Sequence, residues 1–266
     1  WLKENFVFQG QKILVASKGI EAVSGQFLNE IYADFVPNKN IGFISGPSFA
    51  AEVIKGLPCA LVINSKSKKL YNAFQPFFPN FIKTYYSADV IGAEVAGAYK
   101  NVLAIASGIC EGLNLGKNAQ ASLIARGLVE MQRFGKVFGA KKSSFLGLSG
   151  AGDLFLTANS TMSRNYRVGL GLSQNKKLDD ILEELNKDNF NDYLNKNLEF
   201  DYSEISKRLI DSNDFIEDNE NSFSNFLFFV EEDNFSNEVE FSNIQQQNDA
   251  FLELCSNNSF AEESDS

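Results

Sequence analysis

Ala98-Tyr-Lys-Asn-Val-Leu-Ala-Ile-Ala-Ser107 lies inside a nearly unbroken small and apolar run from Val90 to Leu113. Its length and its Ala, Val, Leu and Ile content predict a buried helix rather than a strand. Lys100 is the discordant residue. An ammonium loses its hydration on burial, so a lysine here either snorkels to solvent or stays inside with a lowered pKa. The second state suits proton transfer. The helix also divides the chain, because the patterns on its two sides differ.

On the N-terminal side, strand and helix signals alternate. Gln11–Ala16, Ile41–Ser45, Cys59–Ile63 and Phe81–Tyr86 read as strands, and Gly25–Phe35, Phe49–Lys55 and Leu70–Phe78 read as helices. Alternation of this kind predicts α/β layers with a largely parallel sheet. From Asp89 onward the signals are helical: Val90–Leu113, Ala119–Phe138, Asn165–Ser173 and Leu178–Leu185. The expected fold class is α/β then all-α, with a ligand cleft where the two parts meet. The domains expected are 1–88, 89–186 and a tail over 187–266.

The tail is set apart by composition. Residues 187–266 hold 20 Asp and Glu against 4 Lys and Arg, leaving 14 acids and 20 bases in residues 1–186. All 19 glycines lie at or before Gly171 and the last of the 5 prolines is Pro79, so the tail lacks turn punctuation. Like charge opposes compaction there, and a poorly ordered tail is expected despite its 11 phenylalanines. The tail is too acidic for nucleic acid and the front too mildly basic to argue for it.

The residue inventory removes several chemistries. With no histidine in 266 residues, imidazole acid/base catalysis, Ser-His-Asp triads and imidazole metal sites are excluded. Cys59, Cys110 and Cys255 form no Cys-x-x-Cys pair, which points away from zinc and disulfides and towards a reducing cytoplasm. No apolar run is long enough to predict a membrane span. Three other segments carry candidate chemistry. Ile44-Ser-Gly-Pro-Ser-Phe-Ala50 reads as a strand end, a tight turn and a helix start, either an ordinary turn or an anion cradle. Leu148-Ser-Gly-Ala-Gly-Asp-Leu154 puts Asp153 at a plausible helix N-cap. Ser163-Arg-Asn165 precedes an amphipathic run, where an arginine is either a solvated helix start or a bidentate phosphate clamp.

Five motifs occur in one order: Ser17-Lys-Gly-Ile20, Ser45-Gly-Pro-Ser-Phe-Ala50, Gly97-Ala-Tyr-Lys-Asn101, Ser149-Gly-Ala-Gly-Asp153 and Ser163-Arg-Asn-Tyr-Arg167. From Trp1 to about Leu185 the chain closely resembles bacterial NAD(P)-dependent glycerol-3-phosphate dehydrogenases. The resemblance implies a partial Rossmann-type parallel sheet domain followed by a 6-phosphogluconate-dehydrogenase-like helical domain. It implies interconversion of sn-glycerol 3-phosphate and dihydroxyacetone phosphate in the cytoplasm, feeding glycerophospholipid synthesis, with NAD or NADP as cofactor and a homodimer left open. Carried over by motif, Lys100 is the catalytic proton acceptor. Lys18, Gly46, Ser48, Lys100, Asp153, Ser163, Arg164 and Asn165 bind substrate, and Lys18, Ala50 and Arg164 face the cofactor. No metal is implied.

The chain also departs from that pattern. It has no Gly-x-Gly-x-x-Gly loop, and Trp1 aligns inside the family's first domain, so on the order of sixty residues, about two βα units, are expected to be absent. Asn186-Lys-Asp-Asn-Phe190 stands where the family carries a Glu-Gly cofactor motif. These departures lead us to expect a sheet with an open edge and negligible oxidation by residues 1–266 alone. The rival readings are an inactive remnant or a phosphate-metabolite-binding protein lacking the dinucleotide loop, and a dehydrogenase of the same architecture acting on a hydroxy acid. The Ser163-Arg164-Asn165 segment argues against the last.

Overall fold

A computed structural model describes residues 7–187 and 226–229. Four strands and three helices alternate at first: β1 (Lys12–Val15), α1 (Leu28–Ala33), β2 (Ile41–Ser45), α2 (Ala50–Val53), β3 (Cys59–Asn64), α3 (Lys68–Phe74) and β4 (Ile82–Ser87). Six helices follow: α4 (Val90–Gly112), α5 (Gly116–Val137), α6 (Lys142–Leu146), α7 (Asp153–Ala158), α8 (Arg164–Ser173) and α9 (Leu178–Lys187). A π-helical turn, Leu148–Gly152, leads directly into α7. A last strand, β5 (Phe226–Phe229), completes a sheet of order β4-β3-β2-β1-β5.

Side-chain alternation along β1 buries both faces of that sheet. Ile13 and Val15 pack with Tyr32, Val36, Ile41, Phe43 and Val90 on one side. Leu14 packs with Ile63, Leu70 and Phe74 on the other. Two covered faces are the condition under which a parallel sheet is stable. Parallel pairing joins β1 to β2, β1 to β5, and β3 to β4. The pair β2–β3 is antiparallel, with Ser45 opposite Val62. The sheet is thus largely parallel, as expected, with one exception: the segment from Gly46 to Pro58 holds only the four-residue α2 and turns back instead of crossing over.

The sheet is open, with β4 at one edge and β5 at the other, so β1 is an inner strand. Phe226–Phe229 pairs with β1 in register, Lys12 opposite Phe226 and Val15 opposite Phe229. The remaining expectation for the 187–266 tail falls on residues outside those described.

In the helical part α4 is the hub. Val95, Ala96 and Leu103 join Ile124, Met131, Phe134, Phe145, Leu154 and Ala158 in one buried cluster. Against α8 the approach is closer still. A Cβ on Gly108 would lie 2.1 Å from the Tyr166 carbonyl oxygen, and one on Gly169 would lie 2.0 Å from that of Ile105. Only glycine at both positions lets the two backbones touch. Among the described residues no helix is long and apolar enough to cross a membrane.

Candidate active site

The site is built where the C-terminal end of β1 meets α4 and the start of α7. Lys18 follows β1, and its aliphatic stem lies along α4 at Gly97, where a Cβ would meet it at 3.4 Å. One turn further along α4, the Lys100 side chain is only 11% exposed, so it does not snorkel. Both ammonium groups converge on one carboxylate. Lys100 Nζ donates to Asp153 Oδ1 at 2.8 Å, and Lys18 Nζ donates to Oδ2 at 3.0 Å. Asp153 is thus claimed by two lysines, and the N-cap expected of it is not formed. Its own N–H closes the π turn on the carbonyls of Leu148 and Gly150. Such turns recur at functional sites because they re-aim the side chains that follow.

Charge tuning follows from this geometry. Burial works to raise the Asp153 carboxyl, but the charges of Lys18 and Lys100 outweigh it and hold the group below the usual aspartate range. Burial lowers Lys100, the nearby Lys18 charge lowers it further, and Asp153 opposes both; the outcome is a pKa of about 8. A lysine tuned to that value can both take and return a proton near neutral pH.

Thr157, four residues after Asp153 on α7, completes the group. Its hydroxyl donates to the Asp153 carbonyl at 2.7 Å, and Lys100 Nζ reaches its Oγ1 at 3.5 Å. The sequence reading missed it, although an i,i+4 partner of a candidate aspartate shares its helix face.

The other candidate residues lie on two further segments, the turn after β2 and the start of α8. Gly46 follows β2 with φ +122, where a Cβ would sit 3.0 Å from the Ala60 carbonyl oxygen, so the turn requires glycine. Ser48 is exposed and its Oγ lies 3.5 Å from the Gly46 carbonyl; Ala50, also exposed, opens α2. Ser163 is buried as the N-cap of α8, its Oγ accepting from the Tyr166 N–H at 3.2 Å. Arg164 and Asn165, both half-buried, begin that helix. A capped helix start beside an arginine is chemically suited to an anion. Two ammonium groups on one carboxylate leave the Lys18–Asp153–Lys100 cluster cationic. Among the described residues no group of three or more His, Cys, Asp or Glu is arranged to hold a metal.

Comparisons with known proteins bear on the family of the chain. The family models "NAD-dependent glycerol-3-phosphate dehydrogenase N-terminus" and "C-terminus" match residues 3–71 and 89–193. The chain is 70% identical over 185 residues to a glycerol-3-phosphate dehydrogenase (NAD(P)+) of Sulfurimonas denitrificans, covering 70% of this chain and 62% of that protein. Against the enzyme of that name from Campylobacter jejuni the identity is 67% over 187 residues, with coverages of 70% and 63%. The crystal structure of glycerol-3-phosphate dehydrogenase from Coxiella burnetii is similar with a TM-score of 0.61 and 37% identity, over 65% of this chain and 54% of that one. The chain therefore spans somewhat under two thirds of the length of the curated relatives it matches.

Proposed function

Because this chain belongs to the NAD-dependent glycerol-3-phosphate dehydrogenase family, we propose that it carries the catalytic centre for interconverting sn-glycerol 3-phosphate and dihydroxyacetone phosphate, in the cytoplasm and for glycerophospholipid synthesis. The observation that carries the reading is the Lys18–Asp153–Lys100 cluster, one buried carboxylate shared by two ammonium groups.

In oxidation, the neutral Lys100 amine takes the proton of the substrate's secondary hydroxyl. In reduction, its ammonium returns that proton to the ketone oxygen. A pKa of about 8 keeps both forms accessible. The nicotinamide of NAD or NADP, when bound, supplies the hydride acceptor or donor. Lys18 supports negative charge developing on the reacting oxygen, and Asp153 orients both lysines. Gly46 and Ser48 contact the substrate, and Ser163, Arg164 and Asn165 hold its phosphate. The residues present fit a dinucleotide on its substrate-facing side. Lys18 stands at the C-terminal end of a parallel strand, where open α/β sheets bind ligands. The exposed Ala50 offers an unobstructed ledge, and Arg164 adds positive charge. Free Cys59 and Cys110 suit a reducing compartment. A homodimer rests on the family resemblance alone.

The test is a steady-state assay of the full-length protein with either nicotinamide cofactor, followed by absorbance of the reduced form. Turnover that Lys100→Ala abolishes is expected. Phosphate-ester binding with no turnover would favour a non-catalytic binding protein instead.

A further inference from the structure

A second polar cluster joins the ends of β2 and β3 to the π turn that precedes Asp153. Asn64 ends β3 and is almost fully buried. Its Nδ2 donates to the Phe43 carbonyl at 3.1 Å, to the Val62 carbonyl at 3.3 Å and to Ser45 Oγ at 2.8 Å. Ser45 Oγ lies 2.7 Å from Ser149 Oγ, 104 residues later in the chain, and both serines are buried. Ser149 belongs to the π turn that the Asp153 N–H closes. The hydroxyl contact therefore ties the end of β2 to a turn whose last hydrogen bond is made by Asp153 itself. Nearby, a Cβ added at Gly152 would lie 3.6 Å from the Pro47 ring, so the two turns run close together.

Why a polar tie at this place? A π turn is easily deformed, since its wider ring leaves more backbone freedom than an α-turn. A buried hydroxyl pair is directional, and with its partners satisfied it fixes one arrangement. We infer that Ser45 and Ser149 are positioning residues: their contact, anchored by Asn64, sets the π turn so that the Asp153 carboxylate bridges Lys18 and Lys100. The inference rests on the proposed role of Lys100 as the proton-transfer group. It assigns to Ser45 a function separate from the substrate contacts proposed for its neighbours Gly46 and Ser48.

The readout is the titration of Lys100, followed by NMR on the full chain carrying 13C-labelled lysine and assigned with Lys100→Arg. Asp153 opposes the downward pull of burial and of Lys18 on this group. Loosening the turn withdraws that opposition, so the midpoint should fall. Ser45→Ala and Ser149→Ala are each expected to lower it by about half a unit or more. The double variant should fall no further than the larger single effect, because both substitutions delete one contact. Ser107→Ala is the structural control. It removes a buried hydroxyl bond to the Ala158 carbonyl at 2.7 Å, and should lower the melting temperature while leaving the midpoint in place. Wild-type midpoints in both serine variants, or an equal fall in Ser107→Ala, would overturn the proposal. Should Ser149→Ala not fold, Ser45→Ala reads the same contact from the sheet side, and an unmoved midpoint there is equally decisive. The titration needs neither substrate nor nucleotide. A turnover-competent protein with unmoved midpoints refutes the positioning role alone, and shifted midpoints in a protein without turnover refute the reaction alone.

Discussion

Replacing Glu94 by glutamine should stabilise the protein, and by an amount that depends on pH. Glu94 stands on the buried side of α4, where its Oε1 accepts the Asn29 N–H at 2.8 Å. Its Oε2 has no hydrogen-bond partner, and neither has the buried Oδ1 of Asn29. Burial raises the carboxyl from 4.5 to about 8; the Asn29 N–H works against the rise and the nearby Glu30 charge adds to it. A folded-state pKa above the unfolded value gives stability that is complete below about pH 4.5 and is lost as pH rises through about 8. At about 1.36 kcal/mol per unit, the loss reaches roughly 3 kcal/mol at pH 7 and approaches a ceiling of about 5 kcal/mol near pH 8. Glutamine carries no proton to lose. Its amide oxygen can keep the Asn29 N–H, and its NH2 can donate to the orphaned Asn29 oxygen. Urea unfolding of wild type and Glu94→Gln at about pH 5, 7 and 8 should show the variant's advantage growing by a few kcal/mol across that range. A difference that stays flat with pH would refute a buried neutral carboxyl at this position.

Two further substitutions test the site and its scaffold. Asp153→Asn leaves two lysines facing each other without their shared counter-charge, and should cost about 3 kcal/mol at neutral pH. Because the Asp153 carboxyl is held low, that cost should shrink as pH falls below the ordinary aspartate range, and the Lys100 titration should move below about 8. Denaturation over a pH series and lysine NMR would check the two parts. Gly108→Ala places a methyl 2.1 Å from a backbone oxygen that has no side chain to move aside. It should cost at least about 3 kcal/mol, or unfold the helical part. A near-wild-type melting temperature would mean that α4 and α8 are less closely apposed.

The elements read most accurately from the chain are those whose burial is written in adjacent residues. Ile41–Ser45 is apolar, bounded by Gly46-Pro47, and forms a strand over those same residues. The α4 boundary came within one residue for the same reason. The Gly25–Phe35 periodicity overshot, because Glu21 folds a turn on Ser24 and an Ile20–Phe27 bridge occupies the approach, leaving only Leu28–Ala33 helical. Asp153 misled local reasoning: its position suggests a cap, while its partners lie 53 and 135 residues away in the chain. Motif order could associate those three residues, but only the fold shows one carboxylate between two cations. Ser45 and Ser149 each open a motif, but nothing local pairs a strand-end serine with one 104 residues later. The Phe226–Phe229 strand is invisible in the tail's composition, because an average over eighty residues hides four apolar ones.

The backbone contact between α4 and α8 has a mechanical consequence. Where two helices meet through side chains, a change of rotamer can let one slide on the other. At Gly108 and Gly169 nothing lies between the chains to re-sort, so the pair behaves as a single strut. Lys100 is on one member of that strut, and Arg164 begins the other. The span between them is therefore set by the backbone.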